Sequence, residues 1–272
     1  MASKSDIFQS PPKALTFDVF GTVVNWRDTV VSKLIQSAAA KTSPSSSRSA
    51  DLSSEVRKRL SELDDDDWAR FAAEWRKSYY LFTQAFVPGE TRWRDIDTHH
   101  HLALIELLQR WGLEGLYTAD ELEELSRVWH FLDPWEDSSP GLRKLGTKFV
   151  TSTLSNGNQA LLKDLREHGD LRFEKLQSSA DFKAYKPHPS VYQGAAKAMG
   201  LQTSEVAMVA AHLADLKGAR QEGFKTIYVD RPQEEAWSHD SEEYKDAKEW
   251  VDIWVKQDEG GFLELARRFG IN

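Results

Sequence analysis

Asp18 closes a short apolar run, Ala14-Leu15-Thr16-Phe17, and is followed at once by Val19-Phe20-Gly21-Thr22. A carboxylate at the carboxyl end of a buried strand, followed by a Gly-Thr turn, can be held against backbone N–H groups and used as a nucleophile that forms an ester intermediate. Alone, the same Asp reads as a turn cap, because Asp is common at turns. Three later segments change that balance: Leu154-Ser155-Asn156-Gly157-Asn158, then Tyr185-Lys186-Pro187, then Asp215. They bring a hydroxyl, an amide, an ammonium and a second carboxylate.

Each of these residues also has a plain structural reading. Ser155 and Asn156 after a strand favour a turn into the next helix, Lys186 before Pro187 reads as a surface-loop lysine, and Tyr192 as a helix residue packing its ring on a sheet. Arg76, in Glu74-Trp75-Arg76, reads in isolation as a solvated arginine paired with Glu74 or a neighbour. Only the combination lifts them above background. His99-His100-His101 suggests a metal, but adjacent helix positions point about 100° apart and cannot converge on one ion. They are expected to be ordinary exposed helix histidines, and no metal site is expected. The acidic run Asp64 to Asp67 fits a helix N-terminus favoured by the macrodipole.

The elements that must position these groups follow from periodicity. Ala14 to Val19 reads as a buried strand ending at the Gly21-Thr22 turn. From Trp26 to about Trp129 the pattern is helical: Trp68, Phe71, Trp75, Tyr79 and Phe82 share one face, and Leu104, Ile105, Leu108 and Trp111 another. Thr118 and Glu121 make a capping box before a helix carrying Leu122, Leu125 and Trp129. After Pro134, short strands at Phe149 to Leu154, Val206 to Ala210 and Thr226 to Val229 alternate with amphipathic helices, which predicts a parallel sheet flanked by helices. The expected division is an α/β core of residues 1–25 and 134–272 with a helical unit, 26–133, inserted after the first strand. Residues 42–54, rich in Ser, read as a flexible loop within it. Ligands bind such sheets at the carboxyl ends of the strands, where Asp18, Ser155 and Asp215 fall.

The chain has 272 residues, 40% of them hydrophobic, enough to bury a substantial core. A net charge of −8 offers no basic field for nucleic acid or anionic lipid, so neither is expected as a partner. The first residues lack an apolar signal segment, and no apolar run approaches the ~20 residues that span a bilayer. Cysteine is absent, which rules out disulfides and thiolate chemistry and fits a reducing compartment; a cytoplasmic location is expected. The ten Trp read as core packing.

Together, Phe17-Asp18-Val19-Phe20-Gly21-Thr22, Leu154-Ser155-Asn156-Gly157-Asn158, Tyr185-Lys186-Pro187 and Asp215 resemble, in order and spacing, the four motifs of the haloacid dehalogenase superfamily. The Glu74-Trp75-Arg76 segment and Tyr192, six residues after Lys186, are most similar to its L-2-haloacid dehalogenases. The resemblance covers Ala14 to Gly270, with the Ser-rich stretch as an extra segment. It implies a Rossmann-like α/β core with an inserted helical cap, and a hydrolase that displaces halide from short 2-haloacids or related small carboxylates.

In the implied mechanism Asp18 attacks the halogen-bearing carbon with inversion, and water then cleaves the ester. Thr22 holds the nucleophile's second oxygen, Arg76 receives the halide with help from Asn156, and Ser155 and Lys186 fix the substrate carboxylate. Asp215 either orients Lys186 or activates water. Val19, Phe20, Tyr192 and His212 complete the implied substrate contacts. Phosphatases of the superfamily carry a second acid two residues after the nucleophile. Here that position is Phe20, and Ala211 replaces the upstream acid of the fourth motif, so no metal and no other cofactor is expected.

The fourth motif also departs from the dehalogenase pattern, with Ala210 for a usual serine, His212 for asparagine and Ala214 for a frequent tryptophan; Asn25 replaces an Asp. His212 has two readings, a water-activating base titrating near neutral pH and a structural hydrogen bond. The rivals are a magnesium-dependent phosphatase of the same superfamily and a non-enzymatic member that binds ligand in the cap cleft. The resemblance leaves room for a homodimer, with no interface legible in the sequence.

Overall fold

The computed structural model describes residues 10–42 and 52–272. Most of the Ser-rich stretch and the polar lead-in therefore lie outside the described residues; Thr42 ends one helix and Ser54 begins the next. Five parallel strands form one sheet in the order β2-β1-β3-β4-β5: β1 Ala14–Phe17, β2 Val150–Thr153, β3 Val206–Ala210, β4 Lys225–Val229 and β5 Ile253–Val255. β1 and β3 are buried along their whole length, as a parallel sheet covered on both faces requires. Phe17 pairs with Thr153 on one side and Val209 on the other. That register brings Asp18, Leu154 and Ala210 to the same end of the sheet.

β1 stops at Phe17 rather than Val19. Asp18 still donates its N–H to Val209 O at 3.0 Å, but Val19 O then turns to accept the N–H groups of Val23 and Val24. Backbone groups that would continue a ladder close a tight turn instead, with Gly21 at φ +84°, a conformation glycine adopts without a Cβ clash. β5 has no counterpart in the expected strands, because three residues, Ile253-Trp254-Val255, are too few to show a period.

Between β1 and β2 the chain is helical: α1 Trp26–Thr42, α2 Ser54–Ser61, α3 Asp65–Gln84, α4 Ile96–Arg110, α5 Ala119–Ser126 and α6 Ser138–Leu145. The acidic run does start a helix. Asp64 caps α3 and exchanges bonds with Asp67 in a capping box, an arrangement typically worth about 1 kcal/mol. Thr118 and Glu121 make the second such box, though Trp129 falls beyond α5 in a tighter turn, Arg127–His130. α7 Gln159–His168, α8 Pro189–Ala198, α9 Leu213–Gln221, α10 Glu242–Trp250 and α11 Gly261–Arg268 complete the helices.

The helices between β1 and β2 pack on one another and on the turn after β1 through aromatic rings. Trp129, fully buried, stacks on His100 at 4.3 Å and packs edgewise on Trp75 and Phe20. His99 and His100 are thus buried rather than exposed, correcting the surface reading. Burial together with nearby Arg76 and His99 holds the His100 imidazole well below its usual pKa, and hence neutral. No described helix is long and apolar enough to cross a membrane.

Candidate active site

Asp18 leaves β1 with its carboxylate buried, and every contact on it is specific. Lys186 Nζ donates to Oδ1 at 2.9 Å. Oδ2 receives the Thr22 hydroxyl at 2.8 Å and lies 3.0 Å from His212 Nδ1. The Thr22 oxygen itself accepts the Ala211 N–H at 2.9 Å, which turns its hydrogen toward Asp18. Lys186 Nζ also meets Asp215 Oδ2 at 2.5 Å, and the Tyr192 hydroxyl donates to Asp215 Oδ1 at 2.7 Å. His212 Nε2 lies 3.3 Å from Glu234 Oε2.

Local chain geometry sets these positions. Asp18 and Thr22 flank the turn after β1, His212 caps the N-terminus of α9 after β3, and Asp215 sits in the first turn of that helix. Lys186 is fixed from below by Asn156, whose Oδ1 accepts the Lys186 N–H at 2.8 Å and the Ser179 hydroxyl at 2.7 Å. The Asn156 oxygen is thus committed twice, and its amide N–H₂ has no hydrogen-bond partner among the described residues. Ser155 Oγ accepts the Gly157 N–H at 3.1 Å, so its hydroxyl hydrogen is uncommitted among the described residues.

Burial would raise the Asp18 pKa, but the Lys186 charge and the His212 hydrogen bond outweigh it and hold the carboxyl far below its ordinary range. Burial opposes the Lys186 charge as well, yet Asp18 and Asp215 raise its pKa above the usual value. At neutral pH the pair is therefore an ionised carboxylate beside an ammonium, the state a nucleophile needs. Burial and the Asp18 charge push the Asp215 pKa upward against Lys186. For His212, burial lowers the pKa and is overcome by the hydrogen bonds it donates to Asp18 and Glu234, which raise it to about 10. The reading of His212 as a base titrating near neutral pH is thereby corrected: two carboxylates keep it charged.

Arg76 projects from α3 into a nest of rings. Its guanidinium carbon lies 4.5 Å from the Tyr79 ring centroid, 5.3 Å from that of Phe20 and 5.9 Å from that of Trp26. Its Nη1 is buried without a hydrogen-bond partner, and no carboxylate pairs with it among the described residues. Glu74 instead accepts from Trp111 Nε1 and faces Arg110, so the Glu74–Arg76 pair does not form. A cation over aromatic faces with an uncommitted buried N–H is suited to a small anion.

Tyr192, expected to touch substrate, is instead fully buried behind Asp215. Gly218 is what lets it in: a Cβ there would lie 2.9 Å from the Tyr192 hydroxyl. The side chains of Val19 and Phe20 are buried in the core, with the Arg76 guanidinium over the Phe20 ring. Sequence reasoning missed Glu234, a residue on the loop after β4 with no recognisable spacing to the motifs. The nearest signal was Gly21, whose Cβ position lies 2.0 Å from Glu234 Oε2.

A magnesium ion of the kind used by phosphatases in this fold does not suit these residues. The ion seeks several hard oxygens. Here Phe20 presents a ring packed on Tyr79 and Trp129, Ala211 offers no side-chain oxygen, and the two Asp18 oxygens already face Lys186 and His212.

A family model described as haloacid dehalogenase-like hydrolase matches residues 12–223. (S)-2-haloacid dehalogenase 1 of Pseudomonas sp. (strain CBS-3) is 34% identical over 138 residues, 48% of this chain and 60% of the relative. (S)-2-haloacid dehalogenase 4A of Burkholderia cepacia is 31% identical over 112 residues, 40% of this chain and 48% of the relative. The chain thus spans roughly half the length of the curated relatives it matches. A crystal structure of a defluorinating L-2-haloacid dehalogenase superposes with a TM-score of 0.79 at 29% identity, covering 98% of both chains. With the match running from before Asp18 to beyond Asp215, the chain belongs to the haloacid dehalogenase-like hydrolases.

Proposed function

We propose that this protein hydrolyses short 2-haloacids through an ester on Asp18, without a metal ion. The observation that carries the reading is an ionised, lysine-held carboxylate on Asp18 together with a buried guanidinium, Arg76, that no carboxylate pairs with among the described residues. Asp18 donates an electron pair to the halogen-bearing carbon from the side opposite the halogen, and the bonding pair leaves with the halide. Arg76 receives that ion, whose charge develops only as the bond breaks. The free Asn156 amide assists, while Ser155, Lys186 and backbone N–H groups near Val19 hold the substrate carboxylate. Water then opens the ester and releases the 2-hydroxyacid with inverted configuration. Asp215 serves by orienting Lys186, a role supported by its 2.5 Å contact. Residues 26–133 act as a cap domain over a core of 1–25 and 134–272, supplying Arg76 to the core's nucleophile.

The names of the relatives support the substrate class. Phe20 and Ala211 weigh against the magnesium-dependent phosphatase, since neither provides the acid or the oxygen ligand that chemistry uses. The test is halide release from 2-chloropropionate in the presence of EDTA, with Asp18→Asn as control. Release that persists in EDTA and disappears with Asp18→Asn is expected; phosphate-ester hydrolysis abolished by EDTA would replace this reading with its rival.

A further inference from the structure

His212 and Glu234 are a half-buried ion pair that the mechanism above does not use. Both ring nitrogens of His212 face carboxylate oxygens, Nδ1 toward Asp18 Oδ2 at 3.0 Å and Nε2 toward Glu234 Oε2 at 3.3 Å. An ionised carboxylate only accepts, so this geometry requires a hydrogen on each nitrogen and hence an imidazolium. The two oxygens of Asp18 are also served unequally. Oδ1 has Lys186, whereas Oδ2 collects two donors, the Thr22 hydroxyl and His212. Each cation in turn has a second carboxylate of its own, Asp215 for Lys186 and Glu234 for His212.

We propose that Oδ2 becomes the carbonyl oxygen of the Asp18 ester, that Thr22 and His212 form the oxyanion site for its hydrolysis, and that Glu234 is the positioning residue that keeps His212 cationic for that step. The inference rests on the aspartyl-ester reading. Alkylation of Oδ1 removes the charge of Asp18, and with it half of what holds the proton on His212. Glu234 then becomes the one carboxylate bonded to the ring, as Asp215 is for Lys186, and both ion pairs remain balanced in the ester. Water adds its oxygen to Asp18 Cγ, and the carbonyl electron pair moves onto Oδ2 between Thr22 and His212. That pair returns as the bond from Cγ to Oδ1 breaks. Oδ1 leaves as the hydroxyl oxygen of the product and takes one proton of the water; the other passes to solvent as Asp18 ionises again. The oxygen gained by Asp18 comes from water.

The chain builds this site deliberately. The Glu234 side chain is 5% exposed, and its carboxylate occupies the space a Cβ on Gly21 would need. Its loop is tied down on both sides: Arg231 donates to Thr22 O at 3.0 Å and forks onto Asp137, while Glu235 accepts the Leu213 N–H at 2.8 Å. The charged groups facing His212 are Asp18 and Glu234, with Lys186 and Asp215 behind Asp18 and Glu235 behind Glu234.

Rapid-quench turnover of 2-chloropropionate separates the two halves, with chloride release reporting ester formation and mass spectrometry of the Asp18 peptide reporting ester decay. In Glu234→Gln, chloride release should stay within a factor of about three of the wild type, because ionised Asp18 still holds the proton on His212. Ester decay should slow about 10²-fold, the usual cost of losing one oxyanion donor. The defect should deepen as pH rises and recede on acidification, and Glu234→Asp should restore part of the rate. Chloride release and ester decay slowed alike, ester decay unchanged, or a defect equal at every pH would each overturn the assignment. A wild type that yields neither chloride nor an Asp18 ester removes the aspartyl-ester reading itself, a different failure from a wild type that turns over beside an unaffected Glu234→Gln.

Discussion

Lys186 Nζ lies 2.9 Å from Asp18 Oδ1, joining residues 168 positions apart in the chain. The ammonium also separates Asp18 from Asp215, so its removal leaves two buried carboxylates without a cation between them. Lys186→Met should abolish turnover and destabilise the fold by about 3–5 kcal/mol, as breaking a buried pair does, read by urea unfolding at pH 7. Since the Asp18 pKa is lowered in the fold, its contribution is present above the unfolded value of about 3.9 and is lost as pH falls toward the folded value. Wild-type stability should therefore drop on acidification below about pH 4, and Asp18→Asn should flatten that drop. A variant as acid-labile as the wild type would contradict the pairing.

Arg76 offers the opposite balance of stability and activity. Its Nη1 is buried without a partner, so Arg76→Leu removes an unsatisfied donor and should leave the melting temperature unchanged or raised. Halide release should fall about 10²–10³-fold, with the loss in kcat as well as kcat/KM, because the cation acts on charge that appears during displacement. Arg76→Lys should recover little, since an ammonium lacks the planar guanidinium. Full activity in Arg76→Leu would remove the arginine from the mechanism.

His130 joins helices α4 and α7. Its Nδ1 meets Asp164 of α7 at 2.7 Å and its Nε2 meets Asp97 of α4 at 3.1 Å. Burial lowers its pKa, but the two carboxylates overcome that and raise it. A raised value means the stabilisation is complete below the unfolded pKa of about 6.5 and is lost as pH climbs through the folded value. Wild-type melting temperature should therefore decline on the alkaline side of neutrality. His130→Gln should lose about 1–3 kcal/mol at pH 6 and lack that alkaline decline; an identical pH profile in variant and wild type would show that the contact carries no charge.

Gly21→Ala places a Cβ 2.0 Å from Glu234 Oε2 on a backbone at φ +84°. The left-handed conformation alone costs about 1–2 kcal/mol, and the carboxylate must swing away from His212. The expected outcome is a folded, less stable protein in which ester decay is slowed more than chloride release. Thermal melting and the rapid-quench assay check the two parts separately.

The sequence by itself determined the class of fold and singled out Asp18 as the candidate nucleophile. Strand β3 was legible to the residue, Val206–Ala210, because an uninterrupted apolar run between turn signals has one reading in a parallel sheet. The capping boxes at Asp64 and Thr118 were legible because they are local. Asp18, Thr22, Lys186 and Asp215 were recognisable together because the order and spacing of their segments resemble the motifs of one superfamily.

Tertiary structure alone decided what could not be local. The charge on His212 rests on Asp18 and Glu234 together, and Glu234 lies 22 residues away on another loop, with no spacing rule linking the two. Tyr192 reaches Asp215 because Gly218 leaves room for its hydroxyl. His99 and His100 are buried because rings from α3 and the turn at Trp129 close over them. A sequence states which groups exist, but hydrogen-bond partners and desolvation set their charge, and both belong to the assembled three-dimensional neighbourhood.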